Sequence, residues 1–257
     1  MRILPGKLRL AFSRKCSWYC VAQMVDHCAN CCREIQSNQK LRFLSEHTRF
    51  ETFGVVLLAA GASRRMGTCK LLLPWKKETV LAHLLNQWRK LGAAQISPVV
   101  DPSNQLLEAA LIEARLSCAE WIENPLPKRG MFSSLQEASR CKRWRSGLTH
   151  WVIALGDQPT IHISTLRLLL ETAQQNPSRI CQPVFGKRAA HPIILPAELF
   201  LALVEDNAPD LRTFIRKRDG LRLRIPVDDA GVTIDLDTPA DYARWVPTGT
   251  EAISICR

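Results

Sequence analysis

Beyond residue 52, apolar positions switch between two spacings. Phe53–Ala60, FGVVLLAA, is almost uninterruptedly apolar, the pattern of a strand buried on both faces. Thr79–Gly92 instead carries apolar residues at helical spacing, with Thr79 as N-cap and Gly92 as the stop. The switch recurs to the end of the chain. Further strands are predicted at Ile96–Val100, Ala119–Ile122, His150–Pro159, Ile180–Phe185, Pro192–Leu195 and Leu221–Pro226. Further helices are predicted at Ser103–Arg115, Ser133–Cys141, Ile163–Gln175, Ala197–Val204, Asp210–Lys217 and Pro239–Trp245, the last with proline in its first turn. Such alternation means an α/β fold, a parallel sheet covered by helices on both faces.

Residues 1–52 read differently. They lack sustained periodicity apart from a short helix predicted at Trp18–Asp26, and they hold five of the ten cysteines: Cys16, Cys20, Cys28, Cys31 and Cys32. Cys28–Cys32 beside His27 has zinc-like spacing, but no second Cys-x-x-Cys or His pair closes a site. The competing reading is a poorly ordered basic extension, or translated sequence upstream of the true start. The expected organisation is therefore an extension over 1–52, an α/β domain over 53–246 and a tail over 247–257.

Charge changes this picture little. The formal net charge is +11; residues 1–52 contribute nine Lys/Arg and four Asp/Glu, +5, leaving +6 for the remainder. A diffuse basic excess suits anionic partners of nucleotide type, and no RNA-binding signature or basic helix points to nucleic acid. The irregular cysteine spacing argues against a disulfide scaffold and for a reducing cytoplasm. No apolar run approaches the roughly 18–20 residues of a membrane helix, and the N-terminus lacks the plan of a signal peptide.

Chemistry gathers where strands end, since an open α/β sheet binds ligands outside the carboxyl ends of its strands. After the first strand comes LLAAGASRRMGTCKLLLPW, Leu57–Trp75. Gly61 and Gly67 let the backbone turn its N–H groups toward an anion. Arg64, Arg65 and Lys70 add full charges, so the stretch can cradle a polyphosphate; a surface loop with solvated arginines would look similar. The spacing is neither that of a Walker loop nor G-x-G-x-x-G. After the strong strand at His150 comes Gly156-Asp157-Gln158-Pro159. Asp157 there suits Mg²⁺, or a plain turn. In Asp235-Leu236-Asp237, extended backbone puts both carboxylates on one face, while Asp237 could equally cap the helix begun by Pro239.

LAAGASRRMGTCKLLLPW, the GDQP after a strand, AHP at Ala190–Pro192 and DLDTPADY at Asp235–Tyr242 occur in the order found in the NTP-transferase family of molybdenum cofactor cytidylyltransferases, which the chain resembles over Phe53–Trp245. The resemblance implies a Rossmann-like α/β/α sandwich with a mostly parallel sheet. It also implies a nucleotidyltransferase that moves CMP from CTP onto the terminal phosphate of molybdopterin and releases pyrophosphate. The product would serve a molybdenum hydroxylase.

By the same resemblance, the backbone of Leu58, Ala59, Ala60 and Gly61 contacts base and phosphates, and Arg65 and Lys70 stabilise the triphosphate and its departing part. Asp157 holds Mg²⁺, completed by Asp235 or Asp237, with Asp235 favoured. Ala59-Ala60 stands where guanylyltransferase relatives carry Gly-Gly, which narrows the base pocket toward a pyrimidine. In Glu123–Leu135, Gly130, Ser133 and Ser134 precede a helix, and they bind a phosphate or base edge unless Ser133 is only an N-cap. His191 is a pterin contact or a packed histidine. Ala190 replaces the family's glycine before it, so a required positive φ would be strained. The tryptophans are read as packing and Cys69 as a bystander. Two rival functions remain on sequence alone: another nucleotidyltransferase, using a sugar phosphate or GTP, and a carrier of the cofactor without chemistry.

Overall fold

The structure, a computed structural model, describes residues 53–250. The cysteine cluster, the helix expected at Trp18–Asp26 and the extension over 1–52 lie outside the described residues.

An eight-stranded sheet runs in the order β10-β7-β9-β6-β1-β4-β5, with β8 paired to β7. Its strands are β1 (Phe53–Leu58), β4 (Gln95–Val100), β5 (Ile122–Glu123), β6 (His150–Leu155), β7 (Ile180–Phe185), β8 (Arg188–Ala189), β9 (Ile193–Pro196) and β10 (Arg222–Pro226). A two-stranded ribbon, β2 (Pro74–Trp75) and β3 (Glu78–Thr79), stands apart. Helices α1 (Val80–Lys90), α2 (Gln105–Glu113), α3 (Met131–Arg140), α4 (Ile163–Gln175), α5 (Ala197–Leu201), α6 (Leu211–Arg216) and α7 (Pro239–Trp245) follow in chain order.

The central strands β1, β4, β5 and β6 pair in parallel, as the alternating pattern requires. The sheet is not wholly parallel, however. β9 lies antiparallel between β6 and β7. Only a short segment joins β7 to β9, and a parallel return needs a crossover of about a dozen residues or more. β10 then pairs parallel with β7 at the edge.

Burial follows the period-2 alternation of the strands. Val55, Leu57, Val152 and Ala154 face one way, into a core shared with Leu81, Leu85, Leu107, Leu166 and Leu169 of α1, α2 and α4. Val56 and Ile153 face the other way, against Leu135, Phe200, Phe214 and Ile215 of α3, α5 and α6. There Trp151 stacks on Phe200, ring centroids 4.6 Å apart, and Trp144 meets both edge-on. Two buried faces on one sheet make a three-layer α/β/α sandwich.

Local chemistry sets the helix ends. The Thr79 hydroxyl accepts from the Ala82 N–H, and Gly92 takes φ +81° past the end of α1. Asn104 caps α2 and Asp210 caps α6. At α7 the Thr238 hydroxyl and the Asp241 carboxylate cap reciprocally. Three expectations change. The strand predicted at Ala119–Ile122 shifts to Ile122–Glu123, because the Glu120 carboxylate folds back onto Ser117 and makes a turn. α3 starts at Met131, with Gly130 at φ +93° in the N-cap position, so Ser133 is not the cap. Thr238 rather than Asp237 caps α7.

Candidate active site

β1 and β6 lie side by side and end at the same sheet edge, Leu58 against Leu155. Gly156 donates to the Leu58 carbonyl at 3.0 Å, and a Cβ on Gly156 would stand 2.8 Å from that oxygen. Only glycine allows this approach. It brings the loop after β1 directly against Asp157.

That loop then folds on itself. Met66 and Gly67 donate to the Ser63 carbonyl, with Ser63 at φ 46° and Gly67 at φ 74°. The backbone N–H groups of Ala60, Gly61 and Ala62 make no hydrogen bond among the described residues. Unpaired N–H groups beside a cleft are an anion cradle. Buried Leu71 and Leu72 anchor the following 3₁₀ turn and aim Lys70 back under the loop.

A cleft of about 720 Å³ opens over this edge. Leu58 through Arg64 form one wall, Leu155–Asp157 and Lys70 the floor, and Asp101, Ser103, Pro125–Lys128, Gly130, Met131 and Ser134 the far wall. That volume matches the small-molecule sites of enzymes, roughly 300–1,000 Å³.

Beneath the floor runs a chain of ion pairs. Lys70 Nζ lies 2.5 Å from Asp157 Oδ2 and 3.2 Å from Asp237 Oδ1, and Arg65 Nη2 lies 2.7 Å from Asp237 Oδ2. Burial alone would lower the Lys70 pKa, but the two carboxylates outweigh it and hold the ammonium above its usual range. Leu236 donates its N–H to the Asp157 carbonyl, and Gln158 Nε2 donates to Asp235 Oδ1 at 2.8 Å and to the Val232 carbonyl. These bonds pin Asp235–Asp237 against Asp157–Gln158. Asp235 is pushed above the ordinary carboxyl range, by burial first and then by the charges of Asp157 and Asp237. Asp157 Oδ1 is buried without a partner.

The fit of these residues to a divalent cation can be judged from the donors. Mg²⁺ and Mn²⁺ take carboxylate oxygens, commonly from one or two protein residues with phosphate oxygens completing the shell. Asp157, Asp235 and Asp237 repel one another and Asp157 Oδ1 is orphaned, so the donor set fits a divalent cation that these carboxylates would help hold. Among the described residues no group of three or more His, Cys, Asp or Glu is placed to enclose a metal alone.

The candidate residues from sequence are distributed as follows. Leu58, Ala59, Ala60, Gly61, Lys70, Gly130, Ser134 and Asp157 line the cleft. Arg65 does not; it pairs with Asp237, while its neighbour Arg64 faces the cleft. Ser133 stands behind the wall, where its hydroxyl donates to the Gly130 carbonyl at 2.8 Å and accepts from Asn124 Nδ2 at 2.9 Å. Asp235 belongs to the carboxylate cluster. His191 is half-buried near Asp157, and its buried Nε2 has no partner. Burial holds that imidazole at a pKa of about 4, so it is neutral at physiological pH. The strain expected at Ala190 is absent, since its φ is not positive.

The sequence did not single out Asp101, Ser103 or Lys128 in the far wall, while Asn124, the asparagine of the Glu123–Leu135 stretch, stands behind that wall and donates to Ser133 and Ser134. Each lies just past the end of a strand, and the rule that ligands bind at that edge would have singled them out. Asp229 was missed for a different reason. Buried, it accepts from the His162 N–H, the Thr165 hydroxyl and the Gly231 N–H, and so fixes the chain after Pro159; no local pattern marks it.

A loop of unpaired N–H groups after β1 and a lysine paired with the acid after β6, on a three-layer sandwich of the nucleotide-diphospho-sugar transferase type, place the chain among the nucleotidyltransferases. The chain matches the MobA-like NTP transferase domain over residues 55–222, and it belongs to that family. It is 25% identical over 188 residues to the molybdenum cofactor cytidylyltransferase of Escherichia coli (strain K12), covering 73% of this chain and 92% of that protein. The crystal structure of Rv0371c from Mycobacterium tuberculosis H37Rv superposes with TM-score 0.62 at 25% identity, covering 76% of this chain and 98% of that one. A structure of Rv0371c described as a complex with manganese superposes with TM-score 0.54 at 24% identity over 76% of this chain and 97% of that one. Among the described residues no helix is long and apolar enough to cross a membrane.

Proposed function

We propose that the protein transfers CMP from CTP to the terminal phosphate of molybdopterin and releases pyrophosphate. The observation that carries this reading is the Arg65–Asp237–Lys70–Asp157 ion-pair chain, set directly below a cleft whose wall is the Ala59–Ala62 backbone. A cation pinned between carboxylates, beneath free N–H donors, is suited to a bound triphosphate.

In this reading the N–H groups of Ala60, Gly61 and Ala62 and the side chains of Arg64 and Lys128 bind the phosphates. Lys70 neutralises charge that grows on the departing pyrophosphate. An acceptor phosphate oxygen forms a bond to the α-phosphorus, and the bond from that phosphorus to the pyrophosphate oxygen breaks. The acceptor is already a dianion near neutral pH, so no general base is required. Catalysis is positioning and charge neutralisation. Asp157 and Asp235 hold a divalent cation, assigned as Mg²⁺, which when bound draws charge off the α-phosphate; the manganese complex of the mycobacterial relative supports a divalent ion here.

The methyl groups of Ala59 and Ala60 support a pyrimidine in the cleft, and the Escherichia coli relative's description supports the pterin acceptor. We assign the protein to the cytoplasm, with a molybdenum hydroxylase as recipient of the product. Pyrophosphate release, measured with CTP or GTP in the presence of Mg²⁺ and molybdopterin, tests the reading. The expected outcome is release with CTP that Asp157→Ala abolishes. Release with a sugar phosphate and none with the pterin defeats it.

A further inference from the structure

Two acids of the carboxylate cluster stand two positions apart, and the chain turns tightly between them. Asp237 donates its N–H to the Asp235 carbonyl at 3.1 Å, so the segment is not extended and the two side chains take different partners. Asp235 Oδ1 accepts from Gln158 Nε2 at 2.8 Å, a neutral donor. Asp237 instead faces a cation at each oxygen, Lys70 Nζ at 3.2 Å from Oδ1 and Arg65 Nη2 at 2.7 Å from Oδ2.

Asp237 is fixed on both sides. Before it, buried Leu236 donates its N–H to the Asp157 carbonyl at 2.9 Å. After it, Thr238 and Asp241 cap α7 reciprocally, and Tyr242 of that helix donates its hydroxyl to the Pro74 carbonyl at 2.6 Å. Pro74 closes the stretch that carries Lys70 and the 3₁₀ turn. The Asp237 carboxylate therefore has a set place relative to the backbone of Lys70.

That matters because a lysine ammonium rides on a flexible four-carbon stem. Held by Asp157 alone, it could pivot about one oxygen. A second carboxylate leaves it one position. Asp237 is at the same time poorly placed to hold a divalent ion, since two cations already sit at its oxygens and repel a third.

We propose that Asp237 is a positioning residue for Lys70, and that it affects turnover through that lysine rather than by holding the divalent cation. The inference rests on the proposed function in one respect: it takes Lys70 to face the departing pyrophosphate. Asp237 moves no proton and forms no bond to substrate; it fixes where the neutralising charge stands.

The test uses the full chain and three readouts: kcat of pyrophosphate release, CTP affinity by calorimetry without acceptor, and Mn²⁺ affinity by electron paramagnetic resonance without nucleotide. Asp237→Asn is expected to lower kcat about tenfold or more, as loss of one charge-assisted bond in the transition state does. Its Mn²⁺ affinity is expected to equal that of wild type, whereas Asp235→Asn binds Mn²⁺ at least about tenfold more weakly. CTP affinity does not fall in Asp237→Asn, because a negative charge has left the surroundings of the triphosphate. In a Lys70→Met background, Asp237→Asn is expected to change kcat no further, the non-additivity of two residues that act as one unit. Loss of Mn²⁺ affinity in Asp237→Asn makes it a metal ligand and overturns the proposal. A further fall in kcat on top of Lys70→Met overturns it as well. Should Asp237→Asn fail to fold by circular dichroism, Asp237→Glu is judged by the same Mn²⁺ and non-additivity criteria. If pyrophosphate is released only with another nucleotide or acceptor, the proposed substrates fall, and kcat with the active pair decides on Asp237 by the same comparison.

Discussion

Lys70 is partnered by Asp157 and Asp237 and is largely screened from water. Removing its ammonium leaves two carboxylates facing each other and takes a full charge from the triphosphate side. Lys70→Met is therefore expected to lower the rate of pyrophosphate release by about 10²–10³, the usual loss for one preorganised electrostatic group. Because Leu71 and Leu72 anchor the turn independently, the variant should keep its circular dichroism spectrum. A variant that retains near-normal turnover would remove Lys70 from the machinery. Lys70 stood out in the sequence as a lone lysine at the end of a glycine-bearing loop. Its partners did not, since Asp157 and Asp237 stand 87 and 167 positions away. Arg64 and Arg65 show the same limit: adjacent in sequence and alike in chemistry, one lines the cleft and the other pairs with Asp237.

At the scale of elements, the contact between the ends of β1 and β6 sets the site's geometry. Gly156→Ala would press a methyl group onto the Leu58 carbonyl and crowd Leu71. Overpacking of this kind costs about 1–3 kcal/mol. The expected result is a lower urea midpoint with unchanged slope, together with a fall in turnover, since the loop over Asp157 must shift. An unchanged midpoint would show that the two strand ends part freely. Most elements could be read from hydrophobic spacing, β7 among them, and α1 and α7 closely so because their caps are local sequence features. The start of α3 could not, because Gly130 acts there through its backbone angle and offers no side-chain signal. The direction of β9 was likewise hidden. An apolar strand reads the same in either direction, and only the short return from β7 forces it antiparallel.

Across the whole molecule, pH acts through groups buried at the sheet edge. His191 is held neutral, with its pKa lowered from 6.5 to about 4. The folded state thus disfavours a proton that the unfolded chain accepts. The stability present above pH 6.5 is lost as pH falls from 6.5 toward 4, by an amount on the order of 3 kcal/mol. Asp235, raised by burial and by its acidic neighbours, works in the opposite direction and recovers part of this at the acid end. Urea midpoints of wild type and His191→Gln, compared at about pH 7.5 and about pH 4.5, isolate the histidine's share. Wild type is expected to lose more stability than the variant between the two. Equal losses would mean that His191 is hydrated and titrates normally.

The succession of strands and helices along the chain, the glycine-bearing loop after β1, the acid after β6 and the family itself were determined by the sequence, because apolar spacing, caps and short motifs act over a few residues. The tertiary structure decided the rest: the ion-pair chain across Arg65, Asp237, Lys70 and Asp157, the retreat of Ser133 behind the wall and the freedom of Ala190 from strain. These depend on strand order and register, which bring distant residues to one edge, and no local pattern encodes a distance through space.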